Sequence, residues 1–192
     1  MKLNEAYWSN RYEKSDTPWD AGTITTPIKE FVDQLRNKEL KILVPGVGTG
    51  HELEYLYNCG FKNVTGLDIS EKPVLHFLEE HPDFPKEQIC TGDFFEHSET
   101  YDLIIEQTFF CALAPELRPL YASKMHALLR NGGILAGVLF SFPLTEQGPP
   151  FGGSSEEYRK LFSGHFSIHT MEPCYNSIEP RMNRELFIIL KK

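Results

Sequence analysis

From position 41 onward, short apolar runs alternate with amphipathic stretches. Lys41-Ile42-Leu43-Val44, Asn63 to Asp68, Gln88-Ile89-Cys90-Thr91, Tyr101 to Glu106 and Ile134 to Phe140 read as five strands. The last is apolar throughout, as a strand buried on both faces is. Between them the spacing predicts a helix over Glu52 to Asn58 stopped by Gly60. A second is capped by Ser70, carries Leu75, Phe77 and Leu78, and ends at His81-Pro82. A third runs from Pro115 through Leu129 with Leu117, Leu120, Tyr121, Met125 and Leu128 inward, closed by a turn at Asn131-Gly132-Gly133. Strands and helices in alternation build a mostly parallel sheet. Two last strands, Phe166 to Glu172 and Glu185 to Leu190, have no helix between them and should pair antiparallel. Upstream, Thr26-Pro27 opens a helix, Ile28 to Asn37, with Ile28, Phe31, Val32 and Leu35 on one face. Residues 1–30 are different. They are polar sequence studded with Tyr7, Trp8, Tyr12 and Trp19, and read either as a helix packing its aromatics on the sheet or as a lid over a ligand.

The first strand runs into Pro45, then Gly46, Gly48 and Gly50, then the first of these helices. Glycines permit a tight turn and a close ligand approach, and the helix N-terminus offers unpaired N–H groups. A dinucleotide site would read G-x-G-x-x-G, but the third position here is His51 and the pattern is G-x-G-x-G. Asp68, eighteen positions past Gly50, closes the second strand, where an acid can accept both hydroxyls of a ribose. Asp93 after the third strand could bind an adenine amino group, with Phe94 stacking on the ring. The fourth strand runs into Gln107-Thr108-Phe109-Phe110-Cys111-Ala112-Leu113, apolar where a solvated loop would be polar, so it should line the pocket. Ser141 to Ser155, rich in Pro and Gly, is long enough to be functional. His76 reads as a helix-surface residue.

Composition narrows the classes. The length of 192 residues suits one α/β domain, residues 1–192, and 41% hydrophobic content supplies a core. A net charge of −8 argues against a nucleic-acid partner. No run is long enough to span a membrane, and the start carries no apolar signal core. The four cysteines are scattered, without C-x-x-C, which predicts reduced, mostly buried thiols in a cytoplasmic protein and no metal site. Oligomeric state is not legible.

Six stretches carry a resemblance. They are Trp8-x-x-x-Tyr12 with Thr17-Pro18-Trp19-Asp20; Val44 to Gly50; Gly66-Leu67-Asp68-Ile69-Ser70; Gly92-Asp93-Phe94-Phe95; Thr108 to Ala112 with Pro115-Glu116 and Arg118; and Gly148-Pro149-Pro150-Phe151. Together, over nearly the whole chain, they resemble the thiopurine S-methyltransferase superfamily, and within it the halide/thiol (thiocyanate) methyltransferase branch. The resemblance implies a Rossmann-like class I S-adenosylmethionine-dependent methyltransferase, with a mostly parallel seven-stranded sheet and a C-terminal antiparallel strand. It implies that Trp8, Tyr12, Trp19, the glycine turn (Gly46, Gly48, Gly50), Asp68 with Ile69, Asp93, Phe94 and Gln107 hold the cofactor. Departures bear on the acceptor. Gln107 stands where the halide/thiol branch often has Tyr and the thiopurine branch Arg, Phe142 where plant halide enzymes have Tyr, and Tyr12 where Trp is common.

The chemistry expected is attack of a small-molecule acceptor, in line, on a sulfonium methyl. A thiolate or halide needs no general base, so catalysis would be positioning and desolvation within a wall of Trp19, Phe109, Phe110 and Phe142. An aromatic thiol of the thiopurine kind is the alternative acceptor. An NAD-dependent oxidoreductase would need a glycine at 51 and a hydride-site acid–base pair. A non-catalytic module would bind the cofactor without turnover.

Overall fold

A computed structural model describes residues 3–192. The strands are β1 (Ile42–Pro45), β2 (Val64–Asp68), β3 (Ile89–Thr91), β4 (Tyr101–Gln107), β5 (Leu129–Phe140), β6 (Ser167–Pro173) and β7 (Glu185–Lys191). The helices are α1 (Glu5–Glu13), α2 (Thr26–Asp33), α3 (His51–Asn58), α4 (Glu71–Glu80), α5 (Arg118–Leu128) and α6 (Ser155–Phe162). All seven strands form one sheet in the order β3-β2-β1-β4-β5-β7-β6. The first five are parallel, while β7 inserts between β5 and β6 antiparallel to both. Chain order reverses between β1 and β4, so the carboxyl ends of those strands flank the crevice where such sheets bind ligands.

Alternation along the strands divides the core into two layers. Ile42 and Val44 face α2, α3 and α4 with Leu53, Leu56 and Phe77, whereas Leu43 and Ile104 face α5 and α6 with Tyr121, Met125 and Phe162. Among the described residues no helix is long and apolar enough to cross a membrane, no three metal-binding side chains gather, and all four cysteines are unpaired. Only Cys111 and Cys174 are fully buried; Cys59 and Cys90 are half-buried.

Three local expectations change. The inward face of α5 is Arg118, Tyr121, Ala122, Met125 and Leu128, while Leu117 and Leu120 point outward. Pro115–Leu117 is a separate 3₁₀ turn, and the α-helix restarts at Arg118-Pro119, where proline needs no partner for its nitrogen. Arg118 tolerates burial because its guanidinium donates to Glu157 Oε1 and to the Gly152 carbonyl, each at 2.7 Å. Asn131-Gly132-Gly133 does not close a hairpin-like turn. It lies within β5, opposite a register shift at Tyr101/Leu103. Gly132 N–H donates to the Lys192 carbonyl, and Lys192 N–H to that of Gly133, so the last residue supplies the ladder partner that a turn would lack. On α4, Val74 and Phe77 are buried and Leu75 faces out. His76 lies on the surface, 3.5 Å from Glu80.

Candidate active site

A cavity of about 560 Å3 opens at the carboxyl ends of the strands. One lobe sits over β1 to β3, the other over β4, β5 and β7, and α1 with residues 17–19 forms the roof.

The glycine turn and β2 make the floor of the first lobe. Gly46 (φ 64°) and Gly50 (φ 85°) both sit in the left-handed region. A Cβ on Gly46 would lie 2.5 Å from Phe109 Cδ2, so the absent side chain lets the two lobes close on each other. A Cβ on Gly50 would run into Phe77, so this glycine serves the packing of α3 on α4. Asp68 is 6% exposed and lines the cavity. Its Oδ2 accepts the Gly48 N–H and its Oδ1 the Ser70 N–H, both at 2.9 Å. A carboxylate has about four acceptor sites, so each oxygen keeps capacity for a further donor. Burial pushes this carboxyl above the usual range, while the amides of Ser70, Gly48 and Ile69 pull it back down. Ile69, Asp93 and Phe94 complete this lobe. Asp93 is exposed, and its Oδ1 accepts the Phe95 N–H at 2.8 Å.

The second lobe begins at a strained turn. Thr108 has φ 59°, a left-handed conformation that a β-branched residue rarely adopts. After it, Phe109, Cys111, Ala112 and Leu113 line the cavity, with Phe140, Pro149 and Pro150 opposite. Burial pushes the Cys111 thiol far up, so it stays protonated. Arg181 and Arg184 come from the connection between β6 and β7. Arg181 is 8% exposed; its Nη2 donates to the Trp19 carbonyl at 2.6 Å. Its Nη1 is ion-paired with Glu185 Oε1 at 3.7 Å, beyond hydrogen-bond range, and makes no hydrogen bond.

The roof is an aromatic box. Trp19 meets Trp8 at 5.4 Å and Tyr12 at 5.9 Å between ring centroids, both edge-on. The Arg11 guanidinium stands 4.8 Å from the Trp19 ring. No residue of α1 is fully buried, and the helix is tied to α4 by a Ser9–Ser70 hydroxyl contact of 2.7 Å and a Lys72–Glu13 ion pair. The segment after it is pinned twice, by Arg181 at Trp19 and by a 2.7 Å contact between Asp20 Oδ1 and His51 Nε2. His51, which breaks the dinucleotide spacing, thus joins the roof to the start of α3.

Trp8, Tyr12, Trp19, Gly46, Asp68, Ile69, Asp93, Phe94 and Phe109 therefore meet at one cavity. Five expected residues do not line it. Gly48 and Gly50 belong to the turn but are covered, Gly48 by the Tyr12 hydroxyl and Gly50 by Phe77. Gln107 is buried, with Oε1 accepting from Thr25 Oγ1 and Nε2 unpartnered. Phe110 is not part of the wall. It is 1% exposed and packs in the core against Tyr121 and Tyr158, beneath the Arg118 guanidinium. Phe142 is not part of it either, being held between Gly152 and the Arg184 guanidinium. Sequence reading missed Arg181 and Arg184. The available signal was two arginines three positions apart, between the last strands of an acidic chain.

The family model for thiopurine S-methyltransferase (TPMT) matches residues 3–188. The chain is 36% identical over 159 residues to a probable thiol methyltransferase 2 of Arabidopsis thaliana, covering 80% of this chain and 70% of that protein. It is 32% identical over 189 residues to thiocyanate methyltransferase 1 of Brassica oleracea, covering 95% and 83%. Among solved structures, the Burkholderia thailandensis 1,6-didemethyltoxoflavin-N1-methyltransferase with bound S-adenosylhomocysteine superposes with a TM-score of 0.79 over 98% of this chain and 86% of that one. At 17% identity that likeness is one of fold. Because the family match runs from the roof helix through the last strand, it takes in the cavity as well as the sheet, and the chain belongs to the thiopurine S-methyltransferase family of S-adenosylmethionine-dependent methyltransferases.

Proposed function

We propose that the chain methylates a small soft anion, a thiolate or a pseudohalide such as thiocyanate. The observation that carries this reading is Arg181. It is a largely buried cation on the cavity wall, which Arg184 also lines, and its own ion pair with Glu185 is long, 3.7 Å, and makes no hydrogen bond. A guanidinium whose ion pair is this long keeps positive charge at the wall, which favours an anionic acceptor. The names of the thiol and thiocyanate methyltransferases among the relatives agree with it.

The residues present fit S-adenosylmethionine. Asp68 has acceptor capacity for two ribose hydroxyls, the largely buried Phe94 reaches the cavity beside Asp93 on the side left for adenine, and Trp8, Tyr12 and Trp19 roof the cavity with rings that favour a cation. When bound, S-adenosylmethionine supplies an electrophilic methyl on a sulfonium. The chain's own residues then position and dry the acceptor. Arg181 holds its charge, while Phe109, Leu113, Phe140 and Pro149 exclude water that would otherwise solvate the nucleophile. An anion already carries its lone pair, so no side chain has to remove a proton. Cys111 stays protonated and does not compete for the methyl. The N-terminal segment acts as a lid, closed through Trp19.

A second reading is an aromatic thiol acceptor, favoured by the apolar rim of the second lobe, where Leu113, Leu117, Phe140 and Pro150 leave room for a ring. The test is S-adenosylhomocysteine formation with hydrosulfide, iodide, thiocyanate, thiophenol and 6-mercaptopurine. Turnover of the small anions supports the first reading, and turnover of the aromatic thiols alone replaces it with the second. Cofactor binding without turnover of any acceptor overturns both and leaves a non-catalytic module.

A further inference from the structure

Glu106, on β4 one residue before Gln107, is fully buried and touches neither cavity nor solvent. Its Oε1 accepts two backbone amides, Phe109 N–H at 2.9 Å and Phe110 N–H at 2.8 Å. Its Oε2 accepts the Tyr121 hydroxyl at 2.5 Å. The two amides belong to the residues just after Thr108. A left-handed β-branched residue persists only where its surroundings over-determine it, and here the carboxylate supplies that constraint. Tyr121 in turn backs the cavity rings. It is 5.9 Å from Phe94 and 6.2 Å from Phe109 between centroids, and Phe109 packs on Gly46.

We propose that Glu106 is a positioning residue for methyl transfer: its carboxylate, braced by Tyr121, keeps the Thr108–Cys111 turn wound so that Phe109 closes the second lobe against the glycine turn. The proposal rests on the methyl-transfer reading above. The groups that face Glu106 are Tyr121 from α5, the Cys111 thiol from the turn, and Glu185 from β7 across a void of about 10 Å3. From β5, Gly137 pairs with it in register and Val138, Leu139 and Phe140 line the void, none of them titratable, and among the described residues no Lys, Arg or His forms an ion pair with it. Burial pushes its carboxyl up to about 7, against the pull of Tyr121 and the two amides. Protonation turns the Tyr121 contact round, with Oε2–H donating to the phenol oxygen. Both amide bonds then lose charge assistance, which roughly halves their strength. The wall loosens without any change at the cavity surface itself.

The experiment is the pH profile of kcat/KM for thiocyanate, an acceptor that stays anionic across the range. The wild type should lose activity on the acid side of a limb near 7. Glu106→Gln should lower kcat/KM about tenfold at high pH, one charge-assisted bond's worth, and flatten the limb. Tyr121→Phe removes a hydrogen bond that favours the ionised form, so it should move the limb to higher pH. Affinity for S-adenosylhomocysteine, measured by calorimetry, should stay near that of the wild type in both. A limb that survives in Glu106→Gln, or stays in place in Tyr121→Phe, overturns the proposal. If no small anion is turned over, the titration is read directly from the carboxylic acid carbonyl band in infrared difference spectra. A band absent from Glu106→Gln and moved to higher pH in Tyr121→Phe supports the braced carboxylate, and its persistence in Glu106→Gln overturns it. Should Glu106→Gln fail to fold, the Tyr121→Phe shift decides alone.

Discussion

Asp68 and Glu106 stand on the two strands that flank β1, close to the same carboxyl edge of the sheet. Both are buried carboxylates, and each accepts two backbone amides from the turn that follows its strand or its neighbour's. They differ in what meets their remaining lone pairs. Asp68 opens on the cavity, whereas Glu106 is closed off by Tyr121. The same device, a carboxylate wound into a turn, thus makes a ligand site when one side is left open and a wall when that side is sealed.

The largest expected difference is in pH-dependent stability. The folded state holds the Glu106 carboxyl at about 7, against an ordinary 4.5. A raised carboxyl favours the folded state in its protonated form, so this contribution is complete below 4.5 and is lost as pH rises through 7. Wild type should lose about 2–3 kcal/mol relative to Glu106→Gln between pH 5 and 8 in urea unfolding. Parallel curves for the two proteins would mean the carboxyl titrates as an exposed one does. The fold accepts the cost of the ionised form because that form holds the Thr108 turn.

Asp68→Ala comes next. Two ribose hydroxyls would lose their acceptor in a dry site, which should weaken S-adenosylhomocysteine binding by about 1–3 kcal/mol in calorimetry. Unchanged affinity would take Asp68 out of the cofactor site. The burial that raises this carboxyl also predicts that cofactor affinity begins to fall, as pH is lowered, sooner than an exposed aspartate would allow.

The contrast also separates what the chain discloses from what it hides. Asp68 was legible because its meaning is local: an acid closing a strand, after a glycine turn on the neighbouring strand, with Ser70 capping the next helix. Glu106 was read only as the end of a strand. Its partner Tyr121 lies fifteen positions away on another element and looked like one more inward aromatic. The strands and their parallel pairing were legible for the same local reason, while the insertion of β7 between β5 and β6 depends on non-local pairing. Phe110 was placed on the wall because it is aromatic and follows the fourth strand, and Phe142 because it stands where the resemblance puts an acceptor-side Tyr. Arg118 and Arg184 instead hold them against the core and the outer loop, contacts that no spacing encodes. The second lobe draws on β4, the 141–154 loop and the β6–β7 connection, so its chemistry is dispersed along the chain.

Arg181 sharpens the comparison from the acceptor side. Arg181→Met keeps an unbranched apolar stem and removes the guanidinium and its charge. It should raise KM for thiocyanate about tenfold, the low end of a charge-assisted hydrogen bond, and affect thiophenol less. Equal losses for both acceptors would mean that Arg181 acts only through the Trp19 carbonyl it holds.

The smallest effect belongs to the other pin of the roof. Asp20 and His51 are 20% and 25% exposed at the side chain, and the Gly22 amide also binds the Asp20 carboxylate. Gly22 and Thr49 with His51 hold that carboxyl below its usual range against partial burial, so it is ionised near neutrality. A partly exposed contact of this kind contributes about 0.5–1 kcal/mol. His51→Ala should therefore leave global unfolding almost unchanged, but speed amide exchange in residues 5–22, where no residue of α1 is fully buried and the attachments are few. Exchange that quickens instead in β1 and α3 would show that His51 serves the start of its own helix and that the segment after α1 is held by Arg181.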